Sequence, residues 1–127
     1  MDKYKNLKVW VEAYNLSLLI YKTTQHFPKE EMFGVVSQLR RSIISVAANI
    51  AEGKGRFSQK ELVRYLFIAR GSLFETEYYI RISKDLGYLE EKDFREIQEK
   101  VNLVGKLING LIRSIKEPAS RKEKAYN

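Results

Sequence analysis

The sequence predicts an all-α protein, an antiparallel up-down-up-down four-helix bundle. Apolar residues recur at three- and four-residue spacing through four long segments. The connections between those segments are short, which makes consecutive helices antiparallel neighbours. No strand-like alternation and no internal repeat compete with this reading. With 127 residues, 44% hydrophobic and 31% charged, the chain suits one globular domain. Residues 1–117 are assigned to the bundle and residues 118–127 to a basic tail expected to be disordered.

The first helix is expected from about Leu7 to His26, with Asn6 as N-cap. Leu7, Trp10, Val11, Tyr14, Leu18 and Tyr21 form one apolar face, and Val9, Ala13, Leu16 and Ile20 form a second stripe beside it. Such a helix has more apolar surface than one neighbour can cover. Phe27-Pro28 breaks the pattern, because the residue before proline avoids helical dihedrals. The second helix is placed from about Met32 to Glu52, with Lys29-Glu30-Glu31 as a possible start and Val35, Val36, Leu39, Ile43, Val46, Ala47 and Ile50 as its core stripe. Gly53 follows as the expected stop, since glycine accepts positive φ at low cost.

The third helix has the clearest start. Ser58-Gln59-Lys60-Glu61 is a capping box, in which the serine hydroxyl accepts from the Glu61 N–H and the Glu61 side chain reaches back. From there Leu62, Tyr65, Leu66, Ala69, Leu73 and Ile80 make the main stripe, and Val63, Phe67, Phe74 and Tyr78 a second one, until Leu86-Gly87 ends the helix. The fourth helix runs from Glu91 to Lys116, opened by Glu90, Glu91 and Asp93 near its positive N-terminus. Phe94, Ile97, Val101, Val104, Ile108, Leu111, Ile112 and Ile115 face its core, and Pro118 ends it.

Signals for catalysis are weak. There is no cysteine and a single histidine, His26, at a helix end. That removes thiolate zinc sites, disulfides and cysteine nucleophiles. The Glu-x-x-His pairs of a bundle di-iron site and a nucleophile elbow are absent from the sequence. No enzymatic activity and no cofactor are therefore expected. The chain opens on charged residues rather than an apolar leader, and its longest uncharged stretch, Ser42 to Ala51, is about half the ~20 residues of a membrane span. A cytoplasmic protein without a membrane role is expected.

Two features point beyond a plain bundle. Gln38, Ser42, Ser45, Asn49 and Glu52 follow one another at four, three, four and three residues, a polar stripe beside the apolar face of the second helix. Arg70-Gly71-Ser72 is the matching segment on the third helix, where Gly71 and Ser72 would permit close backbone approach. Gln38, Ser42, Ser45, Asn49, Glu52, Arg70 and Ser72 are read as a structural polar network or a subunit seam. The second feature is charge. The net charge is +7, with nine basic and five acidic residues from Met1 to Phe57 but eleven against ten from Ser58 to Glu117. Arg40, Arg41, Lys54, Arg56, Lys60 and Arg64 make a candidate nucleic-acid-binding zone around the second helix and the turn after it. Basic side chains there would neutralise phosphates and release counterions, a salt-sensitive and sequence-blind affinity. Gly53-Lys54-Gly55-Arg56 itself admits two readings, a phosphate-holding turn or a plain interhelical connection.

Taken together, several strings are recognisable: Val9-Trp10, Phe27-Pro28, Gln38-Leu39-Arg40-Arg41, Asn49-Ile50-Ala51-Glu52-Gly53, Arg70-Gly71-Ser72 and Leu86-Gly87-Tyr88-Leu89. In combination they closely resemble the four-helix-bundle family of 23S rRNA intervening-sequence proteins, also called the S23 ribosomal protein family. The likeness extends nearly to Pro118, with mild departures at Val11 and Val35. It implies an antiparallel four-helix bundle that assembles into a homopentamer about a central axis, with no enzymatic activity attached. It also implies a link to large-subunit rRNA genes and, through a related branch, to accessory proteins of the reverse transcriptases in diversity-generating retroelements. RNA or another nucleic acid, or a protein partner, is accordingly expected, and the resemblance fixes no binding residue.

Overall fold

A computed structural model of the chain describes residues 3–117. The tail assigned to residues 118–127 lies outside them. Four α-helices follow a short 3-10 turn at Lys3–Asn6: α1 Lys8–Thr24, α2 Val35–Gly55, α3 Gln59–Asp85 and α4 Glu91–Lys116. A second 3-10 turn, Lys29–Glu31, stands between α1 and α2. No strand occurs among the described residues.

Contacts between neighbours fix the directions. Along α2 and α3, Ser45 meets Ser72 and Ser42 meets Thr76, so one number falls as the other rises. Along α3 and α4, Arg70 reaches Asn109, Glu77 reaches Gln98 and Lys84 reaches Glu91. On α1 and α2, Arg40 meets Tyr21 and Thr24 near the end of α1. Each consecutive pair is therefore antiparallel. The α2–α3 turn and the N-terminal 3-10 turn share one end of the bundle, and the α1–α2 and α3–α4 connections share the other.

The core is a heptad seam. Val36, Leu39, Ile43, Val46, Ile50 and Gly53 on α2, and Leu62, Leu66, Ala69, Leu73, Thr76, Ile80 and Ser83 on α3, are buried at alternating three- and four-residue steps. Phe94, Ile97, Val101, Val104 and Ile108 do the same on α4, and Ile112 follows after a second four-residue step. On α1 the buried set is Val9, Ala13, Leu16, Ile20 and Thr24, the aliphatic stripe. Most of the aromatic stripe faces outward: Val11, Tyr14, Leu18 and Tyr21 are exposed, while Leu7 and Trp10 are half-buried against the core. The second stripe of α3 is also exposed at Phe67, Phe74 and Tyr78, while Val63 is half-buried.

Helix ends depart from expectation where the cause is not local. Asn6 does not cap α1. It closes the preceding 3-10 turn, and extended Leu7 takes the N-cap position with no side-chain cap bond. The segment Lys29–Glu31 forms its own turn instead of opening α2, which starts at Val35. Gly53 does not stop α2, which continues to Gly55. A Cβ added at Gly53 would lie 2.6 Å from the Tyr65 Cβ and 3.2 Å from the Leu62 Cδ1. Gly53 is thus kept for close approach of α2 to α3, not for its backbone freedom.

Where the signal is local, the expected boundaries appear. Ser58 accepts the Glu61 N–H at 3.3 Å and starts α3. The reciprocal half of the capping box is replaced, since the Glu61 carboxylate takes the Arg64 guanidinium at 3.1 and 3.2 Å. Gly87, with φ 84°, ends α3 in a Schellman motif, its N–H bonded to the Lys84 carbonyl and the Tyr88 N–H to the Ser83 carbonyl, both at 2.9 Å. The Tyr88 hydroxyl then donates to the Glu31 carboxylate at 2.7 Å, and its ring lies 5.6 Å from that of Phe27. This clasp ties together the two connections at that end.

At the start of α4, the Glu91 carboxylate is held below its ordinary range by Lys84 at 3.2 Å and then by Arg95 at 3.1 Å. A lowered carboxylate stabilises the fold above its unfolded-state titration and loses that contribution as pH falls through its folded value. Glu91→Gln is therefore expected to lower the melting temperature slightly at neutral pH. The gap from the parent should close as pH drops below about 4, which thermal melts across pH 2 to 7 check.

Candidate nucleic-acid interface at the α2–α3 end

The polar stripe on α2 falls largely in the contact with α3. The Asn49 amide donates to the Ser45 carbonyl at 2.8 Å and to its hydroxyl at 3.0 Å. The hydroxyls of Ser45 and Ser72 are 2.9 Å apart. Buried Thr76 donates to the Ser42 hydroxyl at 2.8 Å, and Ser42 donates to the Leu39 carbonyl at 2.9 Å. No buried side-chain polar atom among the described residues lacks a partner. Small hydroxyls let the helices approach closely while meeting one another's hydrogen bonds. Ser42, Ser45, Asn49 and Ser72 are brought together here. Gln38, Glu52 and Arg70 are not: Gln38 is exposed, Glu52 pairs with Arg56, and Arg70 crosses to Asn109 at 3.0 Å over the Phe67 ring. Thr76 joins the seam although the polar stripe did not include it. Its position in the α3 heptad, between Leu73 and Ile80, was the available signal.

The six candidate basic residues divide into two groups. Arg40 and Arg41 stand on α2 about 13 residues, or roughly 20 Å, from Lys54. Arg41 is exposed. Arg40 is occupied: it donates to the Thr24 hydroxyl at 3.0 Å and to the Tyr21 carbonyl at 3.3 Å, and its guanidinium lies 4.5 Å over the Tyr21 ring. It pins α2 to the end of α1. Arg40→Ala should cost about 1–2 kcal/mol of stability and leave nucleic-acid affinity unchanged, which denaturant unfolding and a binding titration check side by side.

The other four gather where α2 turns into α3. Arg56 and Arg64 sit on either side of Tyr65, 5.4 and 4.6 Å from its ring centroid. Each carries its own carboxylate, Glu52 at 2.8 Å for Arg56 and Glu61 for Arg64. Those carboxylates raise the two guanidinium values further, chiefly by hydrogen bonding, and Arg64 lowers Glu61 in the same way. Lys54 and Lys60 form no ion pair with a described residue.

The N-terminal 3-10 turn adds a cation that charge counting along α2 did not reach. Lys3 packs toward the Phe57 ring at 6.0 Å from its centroid. Lys3, Tyr4, Lys54, Arg56, Phe57 and Leu62 are among the walls of a cleft of about 580 Å³. Tyr4 also borders an apolar groove of about 430 Å³ on the outer face of α1 and α2, where Trp10, Tyr14, Leu18, Ile44 and Ala48 are exposed to it. Trp10 stacks on Tyr14 with centroids 5.0 Å apart. No group of three or more potential metal-ligating side chains occurs among the described residues, and no helix there is long and apolar enough to cross a membrane.

These features define an all-α four-helix-bundle protein with a basic, aromatic end and a laterally exposed apolar face. Within that class, the chain belongs to the 23S rRNA-intervening sequence protein family, whose model matches residues 5–110. It is similar in fold to a crystal structure from Bacteroides thetaiotaomicron, a protein of unknown function from the S23 ribosomal protein family. That structure has a TM-score of 0.77 and 24% identity, with 83% of this chain and 95% of that chain covered. A comparison with curated proteins finds no match.

Proposed function

We propose that this protein is a non-enzymatic, cytoplasmic, homo-oligomeric bundle that binds structured RNA, or another nucleic acid, through phosphate contacts at the α2–α3 end. The observation that carries the reading is the pair Lys54 and Lys60, which stand without an ion-pair partner among the described residues beside Arg56 and Arg64. Free cations of this kind gain from phosphate through counterion release. The family's description, which names 23S rRNA, supports RNA over DNA. The outward faces of α1 and α3 support self-association, since Phe74 and Tyr78 are each about 60% exposed in the single subunit. A ring, for which the resemblance suggests five copies, would bury two faces per subunit.

The test is fluorescence anisotropy with a structured rRNA fragment at low and near-physiological salt, on nuclease-treated protein whose mass is measured by light scattering. An oligomer whose RNA affinity falls steeply with salt yet persists at the higher value is expected. A monomer, or no binding at either salt, overturns the corresponding half of the reading. The apolar groove bordered by Trp10 and Tyr14 favours one alternative, a scaffold for a protein partner such as a reverse transcriptase or a ribosome-associated factor. Capture of such a partner that survives nuclease, together with absent RNA binding, would select it.

A further inference from the structure

We infer that the cleft between the N-terminal 3-10 turn and the α2–α3 turn is a pocket for an unpaired nucleotide of an RNA strand, with the base on Phe57 and the phosphate at Lys54. The inference rests on the RNA-binding reading above and adds what part of the RNA this site takes. Phe57 is the middle residue of the three-residue turn between α2 and α3, and its ring is 99% exposed. A phenyl ring held clear of the core, with the Lys3 ammonium 6.0 Å from its centroid on one side, offers its other face as a platform for a planar ring.

The surroundings select an anion attached to that planar ring. The cleft has an apolar side, Tyr4 and Leu62, and a cationic side, Lys3, Lys54 and Arg56, with no carboxylate among its described walls. Its volume of about 580 Å³ is in the range of small-molecule sites. Lys54 is half-buried in that wall and forms no ion pair with a described residue, so its ammonium is available to a phosphate. Arg56 is already oriented by Glu52 and Tyr65 and supplies field rather than a free fork. The Ser58 hydroxyl accepts the Glu61 N–H and keeps its own proton to donate. A duplex offers phosphates but keeps its bases stacked. Only a splayed or terminal nucleotide can use the aromatic face and the cations together.

The full-length protein is titrated with a fluorescent single-stranded RNA 10-mer, a blunt RNA duplex of 20 base pairs and adenosine monophosphate. Phe57→Ala is expected to weaken the single strand roughly 5- to 150-fold, the span measured for removing one base–aromatic stack. The duplex should change less than twofold, and Phe57→Trp should restore the single strand. Phe57 is outside the core, so its truncation should leave the fold intact, which circular dichroism of the variant checks. Equal affinity of Phe57→Ala and parent for the single strand overturns the inference while duplex binding leaves the broader reading standing. Adenosine monophosphate bound as tightly as the strand overturns the strand assignment. No binding of any probe overturns both.

Discussion

Gly53→Ala is expected to destabilise the protein by about 1–2 kcal/mol, the reverse of what helix propensity alone would give. At an ordinary helix-interior position, glycine to alanine stabilises by about 1 kcal/mol. At Gly53 the new methyl would lie 2.6 Å from the Tyr65 Cβ, which is bonded directly to the backbone and cannot swing away as a side-chain tip can. Relief requires α2 and α3 to separate, and forced overpacking costs about 1–3 kcal/mol. Separation also lengthens the Ser45–Ser72 and Thr76–Ser42 hydrogen bonds of the same seam. Gly71→Ala is the control. Nothing lies within 4 Å of a Cβ built there, so the substitution should stabilise by up to about 1 kcal/mol. Thermal melts of the two variants should move in opposite directions. A stabilised Gly53→Ala would mean that the helices are further apart than described.

The second large effect concerns binding. Replacing Lys54 and Lys60 together by glutamate is expected to lower RNA affinity by roughly 60-fold or more at 0.1 M salt. Each lost phosphate contact forgoes about 0.9 counterion, close to an eightfold change at that concentration, and the new carboxylates add repulsion. The slope of log affinity against log salt should fall by about 2. Lys54 is half-buried and Lys60 exposed, and neither forms an ion pair with a described residue, so the fold should persist. Arg56 and Arg64 are poorer probes. Their removal would strand Glu52 and Glu61 and change the end's charge by two mechanisms at once. Binding unchanged in the double variant would move the interface elsewhere, with exposed Arg41 the next position to reverse.

The sequence was most legible where a signal is complete within a few residues. Ser58 with Glu61, Gly87, and the acids before Phe94 set the ends of α3 and α4 within a turn, because a cap involves only its neighbours. Gly53 was not legible, because a stopping glycine and a close-approach glycine look alike until Tyr65 is known to sit against it. Gly71 was the converse: its surroundings within the subunit are open, although its sequence suggested a contact. The two stripes of α1 carry the same spacing, and the packing of α2 and α4 against it decides which one turns inward. At the candidate site, Lys54, Arg56, Lys60 and Arg64 are close in sequence and could be grouped from it. Lys3 and Tyr4 are some fifty residues away and join them only through the antiparallel return of α2.

The Tyr88–Glu31 clasp has a kinetic consequence. It joins residues 57 apart, whereas the α2–α3 seam brings together Gly53 and Tyr65, 12 apart, and Ser45 and Ser72, 27 apart. Entropy favours the shorter closure, and the clasp can form only when both hairpins have docked. The bond is expected to form after the folding transition state and to act as a latch on the finished molecule. Tyr88→Phe should speed unfolding and leave the refolding rate unchanged, so that what the latch sets is the lifetime of the native state.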